Sequence, residues 1–309
     1  MRLGGVLELD LLETMAVESK NARYLPGVVF PPNLVANPKL EECLAGARNI
    51  LVAVPSHGLR DTLLAVEPWL GRRSRVCWAT KGFELHTGKL PHQVAAEILG
   101  DDRPMAVLSG PTFAKEVGAG LPTAMTIAAN DDDFAQDLAV AISSDKFRAY
   151  TSDDMVGVEV GGAVKNVLAI AAGMSDGLGF GANTRIALIN RGLVELMRLG
   201  VALGANKETF MGLAGMGDLV LTCTDNLSRN RRMGLALASG MTIEEAQEEI
   251  QQVVEGVLAA KAVKEVADEL TIEMPICQQV YGILYQGTSP REAVETLMGR
   301  KLKSEKEHE

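Results

Sequence analysis

The feature that most constrains this chain is a change of rhythm near residue 152. Before it, short apolar runs of strand type recur at residues 49–55, 74–79, 105–109 and 123–129. Stretches of helical period lie between and after them, near residues 58–67, 91–99 and 132–142. Continuous apolar runs are strands buried on both faces, and their alternation with helices predicts a parallel sheet covered on each side. After residue 152 long helical segments take over, near 154–172, 184–203, 229–238, 255–269 and 274–285. Thr242 with Glu245 and Ser289 with Glu292 have capping-box spacing, and Pro290 suits a first helical position. The expected organisation is an α/β domain over residues 1–151 and a helical substrate and catalytic domain over 152–309.

Composition narrows the function classes. Of 309 residues, 47% are hydrophobic and 23% charged, which excludes a disordered chain. The uninterrupted apolar runs fall short of the roughly 18 residues a membrane helix needs, and no signal peptide is visible. Cys43, Cys77, Cys223 and Cys277 are scattered, which argues against a disulfide framework or a metal site and for the cytoplasm. The net charge is −10, so nucleic acid is not an expected partner and any phosphate site must be built locally.

Four strings carry chemistry. In GGAVKNV (161–167), Gly161 and Gly162 precede Lys165 by four and three residues, so the three share a helix face. Paired mid-helix glycines are costly and point to a close approach, and a desolvated lysine has a lowered pKa suited to proton transfer. A tight helix crossing with a surface lysine is the alternative. In SGPTFAKEV (109–117) a strand end runs into Gly-Pro and a helix start, where free N–H groups favour an anion and Thr112 adds a hydroxyl. In ATKGFE (79–84), Lys81 follows a buried-type strand, at the carboxyl edge where open α/β sheets bind ligands. In residues 215–234, Asp218 lies in a glycine-rich turn and Ser228 is a plausible N-cap before Arg229, Arg231 and Arg232. A helix N-terminus with arginine makes a phosphate clamp, in which one of the three arginines is expected to face the ligand. Ordinary turns and solvated surface charge are the alternatives for these strings.

Together with VAVPSH (52–57) and VVEGV (253–257), these strings resemble the bacterial-type NAD(P)-dependent glycerol-3-phosphate dehydrogenases from about Asn21 to about Arg300. The resemblance implies a Rossmann-type domain followed by an all-helical one of the 6-phosphogluconate dehydrogenase type. It implies reversible reduction of dihydroxyacetone phosphate to sn-glycerol 3-phosphate for phospholipid synthesis, with NAD or NADP as cofactor. By residue, it implies that Lys165 exchanges the proton, with Asp218 and Lys81 also catalytic. It gives Lys81, Gly110, Thr112, Lys165, Asn166, Asp218, Thr222, Ser228, Arg229 and Asn230 as substrate contacts. It gives Lys81, Ala114, Arg229, Val253 and Glu255 as cofactor contacts. The expected partner is a phosphorylated triose, with no membrane span, and a homodimer is one admissible assembly.

The start departs from that pattern. Residues 1–12 contain Gly-Gly but no GxGxxG, and they match nothing in the family. The first strand, the glycine turn and the residue that selects NAD or NADP are therefore expected to be absent, a strand–turn–helix–strand unit of about 30 residues. Loss of a central strand should expose apolar edges and weaken dinucleotide binding. A second reading follows: a non-catalytic remnant that keeps the phosphate pocket. A third, a hydroxyacid or 6-phosphogluconate-type dehydrogenase, shares the Gly-Gly and lysine helix but not TCTDNLSRNRR.

Overall fold

The computed structural model describes residues 2–3, 9–301 and 304. Strand β1 (Arg2–Leu3) pairs in parallel with β2 (Val35–Ala36), and α1 (Leu9–Glu18) buries Leu12 and Met15 against Ala36. This ladder is separate from the main sheet. Helix α2 (Leu40–Leu44) leads into β3 (Asn49–Val52), α3 (Leu59–Val66), β4 (Arg75–Trp78), α4 (Pro91–Leu99) and β5 (Met105–Ser109). The chain continues through α5 (Ala114–Gly118), β6 (Thr123–Ala129), α6 (Asp132–Ile142) and β7 (Phe147–Ser152).

The main sheet has the order β3-β4-β5-β6-β7. β4 and β5 are buried at every position, as the continuous apolar runs predict for central strands. Alternate side chains feed two cores. Val76, Trp78 and Val107 pack with Leu63, Val66 and Val94 on one face; Cys77, Ala106 and Leu108 pack with Ile127, Phe134 and Leu138 on the other. At β3, Leu51 is exposed while Ile50 and Val52 are buried.

The sheet is parallel-rich, with one reversed pair. β5 and β6 are antiparallel, with Ala106 opposite Ala129 and Ser109 opposite Thr126. A parallel return needs a crossover that spans the sheet, usually a helix. Here only the five-residue α5 lies between the two strands, so the chain re-enters from the edge it left. β7 was not anticipated either. Its sequence FRAYTS alternates with Arg148 and Tyr150 outward, the pattern of a half-exposed strand and not of a buried run.

Beyond Ser152 the chain is helical. Helix α7 (Met155–Gly177) is the spine, packed against α8 (Ala182–Ala202), α9 (Asp218–Thr224), α10 (Arg229–Ala238), α12 (Glu255–Glu269) and α13 (Pro275–Tyr285). Between α10 and α12 lies α11 (Ile243–Ile250), and α14 (Pro290–Met298) closes the chain. Thr242–Glu245 and Ser289–Glu292 form the expected capping boxes, with Pro290 opening α14. Among the described residues α7 alone is long and apolar enough to cross a membrane by length and composition. Its apolar surface is taken up by neighbouring helices, as for a helix at the centre of a core.

The α7–α10 crossing is set by two glycines. A Cβ on Gly173 would stand 2.0 Å from the Arg231 carbonyl oxygen, and one on Gly234 would stand 2.0 Å from that of Ile170. Both obstacles are backbone, so no rotamer change relieves them. Gly234→Ala is expected to cost about 3 kcal/mol in urea unfolding. Gly181→Ala, at a helix start with no neighbour within 4 Å, should cost less than about 1 kcal/mol. Equal effects of the two would remove the crossing argument.

Candidate active site

Helix α7 meets the carboxyl edge of the sheet along its first half, and glycines let it come close. A Cβ on Gly161 would lie 2.4 Å from the Ala214 carbonyl oxygen, so the wide helical turn Leu213–Gly217 rests on bare α7 backbone. That turn delivers Asp218 as the first residue of α9. A Cβ on Gly162 would stand 3.3 Å from Lys81 Cγ and from Ser109 Oγ. The close approach read from Gly-Gly is thus made by the protein itself, and at Gly162 it seats the Lys81 stem. From the other side Thr80 Oγ1 donates to the Val54 carbonyl at 2.7 Å, tying this loop to the end of β3.

The two lysines converge on one carboxylate. Lys165 Nζ lies 2.6 Å from Asp218 Oδ1, and Lys81 Nζ lies 2.7 Å from Asp218 Oδ2. Lys165 also donates to Thr222 Oγ1 at 3.0 Å, and that hydroxyl donates to the Asp218 carbonyl at 2.6 Å. Lys81 reaches the Gly110 carbonyl at 3.4 Å. Gly110 has φ +148°, and a Cβ there would meet Met125 Cα at 3.0 Å, so the position favours glycine on both counts. The Lys165 and Asp218 side chains are 8% and 3% exposed, against 19% for Lys81, which is the more open end of the set.

Burial dominates the electrostatics of Lys165. Desolvation pulls its amine down from 10.5 to about 8; Asp218 opposes this and the like charge of Lys81 adds to it. The sequence suggested desolvation, and burial is the largest of these influences. Burial pushes the Asp218 carboxyl up, but Lys165 and Lys81 together hold it below its ordinary value. The result is an anion between two cations, one of them an amine titrating near neutrality.

A chain of amides runs beside this set. Asn230 Nδ2 donates to Asn166 Oδ1 at 2.9 Å, Asn166 Nδ2 reaches Glu255 Oε2 at 3.4 Å, and the Gly256 N–H donates to Asn230 Oδ1 at 2.8 Å. A Cβ on Gly256 would stand 2.6 Å from Asn230 Oδ1, so the start of α12 is pressed against this chain. Of the residues named from sequence, Lys81, Gly110, Lys165, Asp218 and Thr222 therefore form one cluster, and Asn166, Asn230 and Glu255 a second. Thr112 Oγ1 donates to the Gly110 carbonyl at 3.2 Å. Ser228 caps α10, accepting the Arg231 N–H at 3.2 Å. Arg229 opens α10 half-buried, with no ion pair or hydrogen bond among the described residues. Ala114 and Val253 are exposed, at the start of α5 and just before α12, and no bond ties them to either cluster.

One motif reading changes and another is refined. Pro111 does not open a helix: the chain bends at Gly110 and Pro111 after β5, and α5 starts only at Ala114 behind Phe113, with five residues. Within the basic cluster, Arg231 is turned to Asp176 at 2.6 Å, where Arg185 also binds, and to Asn226. The cluster therefore splits: Arg231 braces α10 against the end of α7, while Arg229 stays free. Ser109, which opens the SGPTFAKEV string but is given no role there, has a buried hydroxyl with no partner among the described residues and lies against α7 at Gly162. Its place at a strand end just before Gly110 was the available signal.

Family models for NAD-dependent glycerol-3-phosphate dehydrogenase match the chain twice, the N-terminal model over residues 6–135 and the C-terminal model over 154–295. Residues 6–12, expected to be unlike the family, thus fall inside the match. A glycerol-3-phosphate dehydrogenase (NAD(P)+) of Bartonella henselae is 56% identical over 286 residues, covering 92% of this chain and 84% of that protein. One from Shewanella halifaxensis is 54% identical over 299 residues, covering 96% and 88%. The crystal structure of glycerol-3-phosphate dehydrogenase from Coxiella burnetii superposes with a TM-score of 0.94 at 46% identity, covering 97% of this chain and 91% of that one.

A lysine whose folded-state pKa is lowered destabilises the fold below that pKa, and the penalty is relieved as pH rises toward the unfolded value. For Lys165 the window runs from about 8 to 10.5. Relative to Lys165→Met, the unsubstituted protein should therefore gain stability across that window, by up to about 3 kcal/mol. Chemical unfolding at pH 7 and pH 10.5 measures the difference, and a gap that stays constant would mean that Lys165 titrates normally.

Proposed function

The chain belongs to the NAD-dependent glycerol-3-phosphate dehydrogenase family, and from that premise we propose how its residues interconvert dihydroxyacetone phosphate and sn-glycerol 3-phosphate. As a member of that family it is an oxidoreductase using NAD or NADP. The observation that carries the assignment of roles is the single carboxylate of Asp218 gripping Lys165 at 2.6 Å and Lys81 at 2.7 Å.

When bound, the reduced cofactor supplies hydride to the ketone carbon. The ketone oxygen then gains alkoxide character and needs a proton. Lys165 gives that proton from Nζ and becomes a neutral amine; in the oxidation direction the same amine removes the proton from the alcohol. An amine with a pKa of about 8 can do both near neutral pH. Asp218 and Thr222 fix Nζ in place, leaving its remaining proton for the substrate. Lys81 adds positive potential where the alkoxide charge develops.

The triose phosphate substrate is assigned to Arg229 through its phosphate, with Ser228, Asn230, Thr112 and Gly110 as its further contacts. The free guanidinium of Arg229 supports this, since arginine binds phosphate bidentately. Anchoring the remote phosphate holds the reacting carbon in place. For the cofactor, the chemistry of the donor set fits the nicotinamide end. Glu255 offers an acceptor and Lys81 and Arg229 offer cations, and Ala114 and Val253 provide exposed apolar contact. Physiologically, this reaction supplies the glycerol phosphate backbone of phospholipids, in the cytoplasm; four scattered, buried cysteines suit a reducing compartment. A phosphate pocket without catalysis gains no support, because the relatives that cover most of the chain bear the enzyme's name.

Oxidation of NADPH or NADH by the purified chain with dihydroxyacetone phosphate tests the proposal. Lys165→Ala should lower kcat by about 10³-fold, the size of a lost general acid, with little change in cofactor binding. Arg229→Ala should raise KM for the phosphorylated ketone at least tenfold, equivalent to roughly 1.4 kcal/mol. Full activity in Lys165→Ala would remove the proton-transfer role, and an unchanged KM in Arg229→Ala would remove the phosphate clamp.

A further inference from the structure

A buried acidic residue, Glu159, lies outside the reacting set. Glu159 sits on α7 six residues before Lys165, and its side chain is fully buried. Its Oε1 accepts the Trp78 indole N–H at 2.9 Å and the His92 backbone N–H at 3.0 Å. Its Oε2 lies 2.6 Å from His92 Nδ1. His92 is the second residue of α4, so the carboxylate also faces the N-terminal end of that helix, where an anion is favoured. Burial pushes the Glu159 carboxyl up, with His92 and Trp78 opposing, and Glu159 in turn holds the His92 imidazole above its ordinary value.

Burying an ion is expensive, and a wholly apolar cluster of the same volume would pack at less cost. The position of the charge gives a reason for keeping it. Trp78 is the last residue of β4, and Lys81 follows three residues later. Along α7, residues 159, 162 and 165 are spaced by three and lie on neighbouring turns of one side. Each makes one contact with the β4 end or with what it carries. Glu159 bonds Trp78, Gly162 seats the Lys81 stem, and Lys165 shares Asp218 with the Lys81 ammonium.

We propose that Glu159 is a positioning residue for the reaction: by bonding Trp78 it fixes the end of β4 against α7 at the register that lets Lys81 and Lys165 reach the same carboxylate. The proposal rests on the roles assigned to those lysines above. A mere helix cap for α4 would need the His92 backbone N–H and not the indole. Severing the indole bond alone therefore separates the two roles.

The experiment compares Trp78→Phe, Glu159→Gln and Glu159→Leu for kcat, for KM of dihydroxyacetone phosphate and for the alkaline limb of kcat against pH, with thermal unfolding to confirm folding. Trp78→Phe keeps the aromatic packing and the α4 cap but loses the indole donor. Its kcat should fall about tenfold with KM within threefold, and the alkaline limb should move by at least half a pH unit as the spacing of the two ammonium groups changes. Glu159→Leu should do the same or more, whereas Glu159→Gln, which keeps a carbonyl acceptor for both N–H groups, should stay within threefold of the unsubstituted enzyme. If Glu159→Leu does not fold, Trp78→Phe decides. A folded Trp78→Phe with kcat within twofold and an unmoved alkaline limb overturns the proposal. Lys165→Ala is the control: activity there would sink the reading of Lys165, while an inactive Lys165→Ala beside a normal Trp78→Phe sinks only the positioning role.

Discussion

Asp218 is an anion bonded to two ammonium groups, and the arrangement around it follows from what each partner needs. A lysine amine as buried as that of Lys165 could not stay charged near neutrality without a counter-ion. A carboxylate as buried as Asp218 could not stay ionised without cations. Each makes the other's burial tolerable, and Lys81 tips the balance. Two cations on one anion leave the cluster net positive, as the proposed alkoxide would require, and their mutual repulsion helps keep the Lys165 amine near 8. Neither layer of the fold supplies this set alone. Lys81 comes from the sheet edge, Lys165 from the central helix, and Asp218 from a turn lying on that helix.

The backbone accommodates the convergence by giving up side chains. Gly161 admits the Ala214 carbonyl, Gly162 admits Lys81, and the Gly173–Gly234 crossing lets α10 lie on α7. Mid-helix glycine is unfavourable by roughly 0.5–1 kcal/mol per position relative to alanine. Helix α7 offsets this by burying apolar residues on nearly all sides, including Val164, Val167 and Leu168. The crossing also sets the height of α10, and with it the register at which Asn230 meets Asn166.

Much of this was legible in the sequence. The strand runs, the helix α7 and the capping boxes rest on local rules of burial and end-satisfaction, which short stretches of sequence display directly. The pairing of Lys81 with Lys165 through Asp218 is different. Those residues are separated by 84 and 53 positions, and only family resemblance brought them together before the fold did. The reversal at β6 was hidden because strand direction depends on how the chain returns, and no residue type encodes it. Arg231 was indistinguishable from Arg229 within SRNRR, since its partner Asp176 lies 55 residues earlier. Glu159 was hidden for a similar reason: in VGVEVGG it reads as one polar residue in an apolar run, and its value lies in Trp78 and His92, 81 and 67 residues away.

The proposed use of a lysine, in place of the histidine more usual in general acid–base work, also follows from this setting. An imidazole already titrates near 6.5, and burial beside a cation would push it lower, leaving it neutral when a proton is needed. Lysine starts at 10.5, so the same two influences bring it down toward the working range and not out of it. Deep burial against α7 and a neighbouring ammonium are therefore the conditions under which lysine becomes the fitting residue. Replacing Lys165 by histidine would keep a titratable nitrogen but lose both the reach to Asp218 and the matched pKa. The proposed chemistry is thus tied to the depth of Lys165 in the core as much as to its amine.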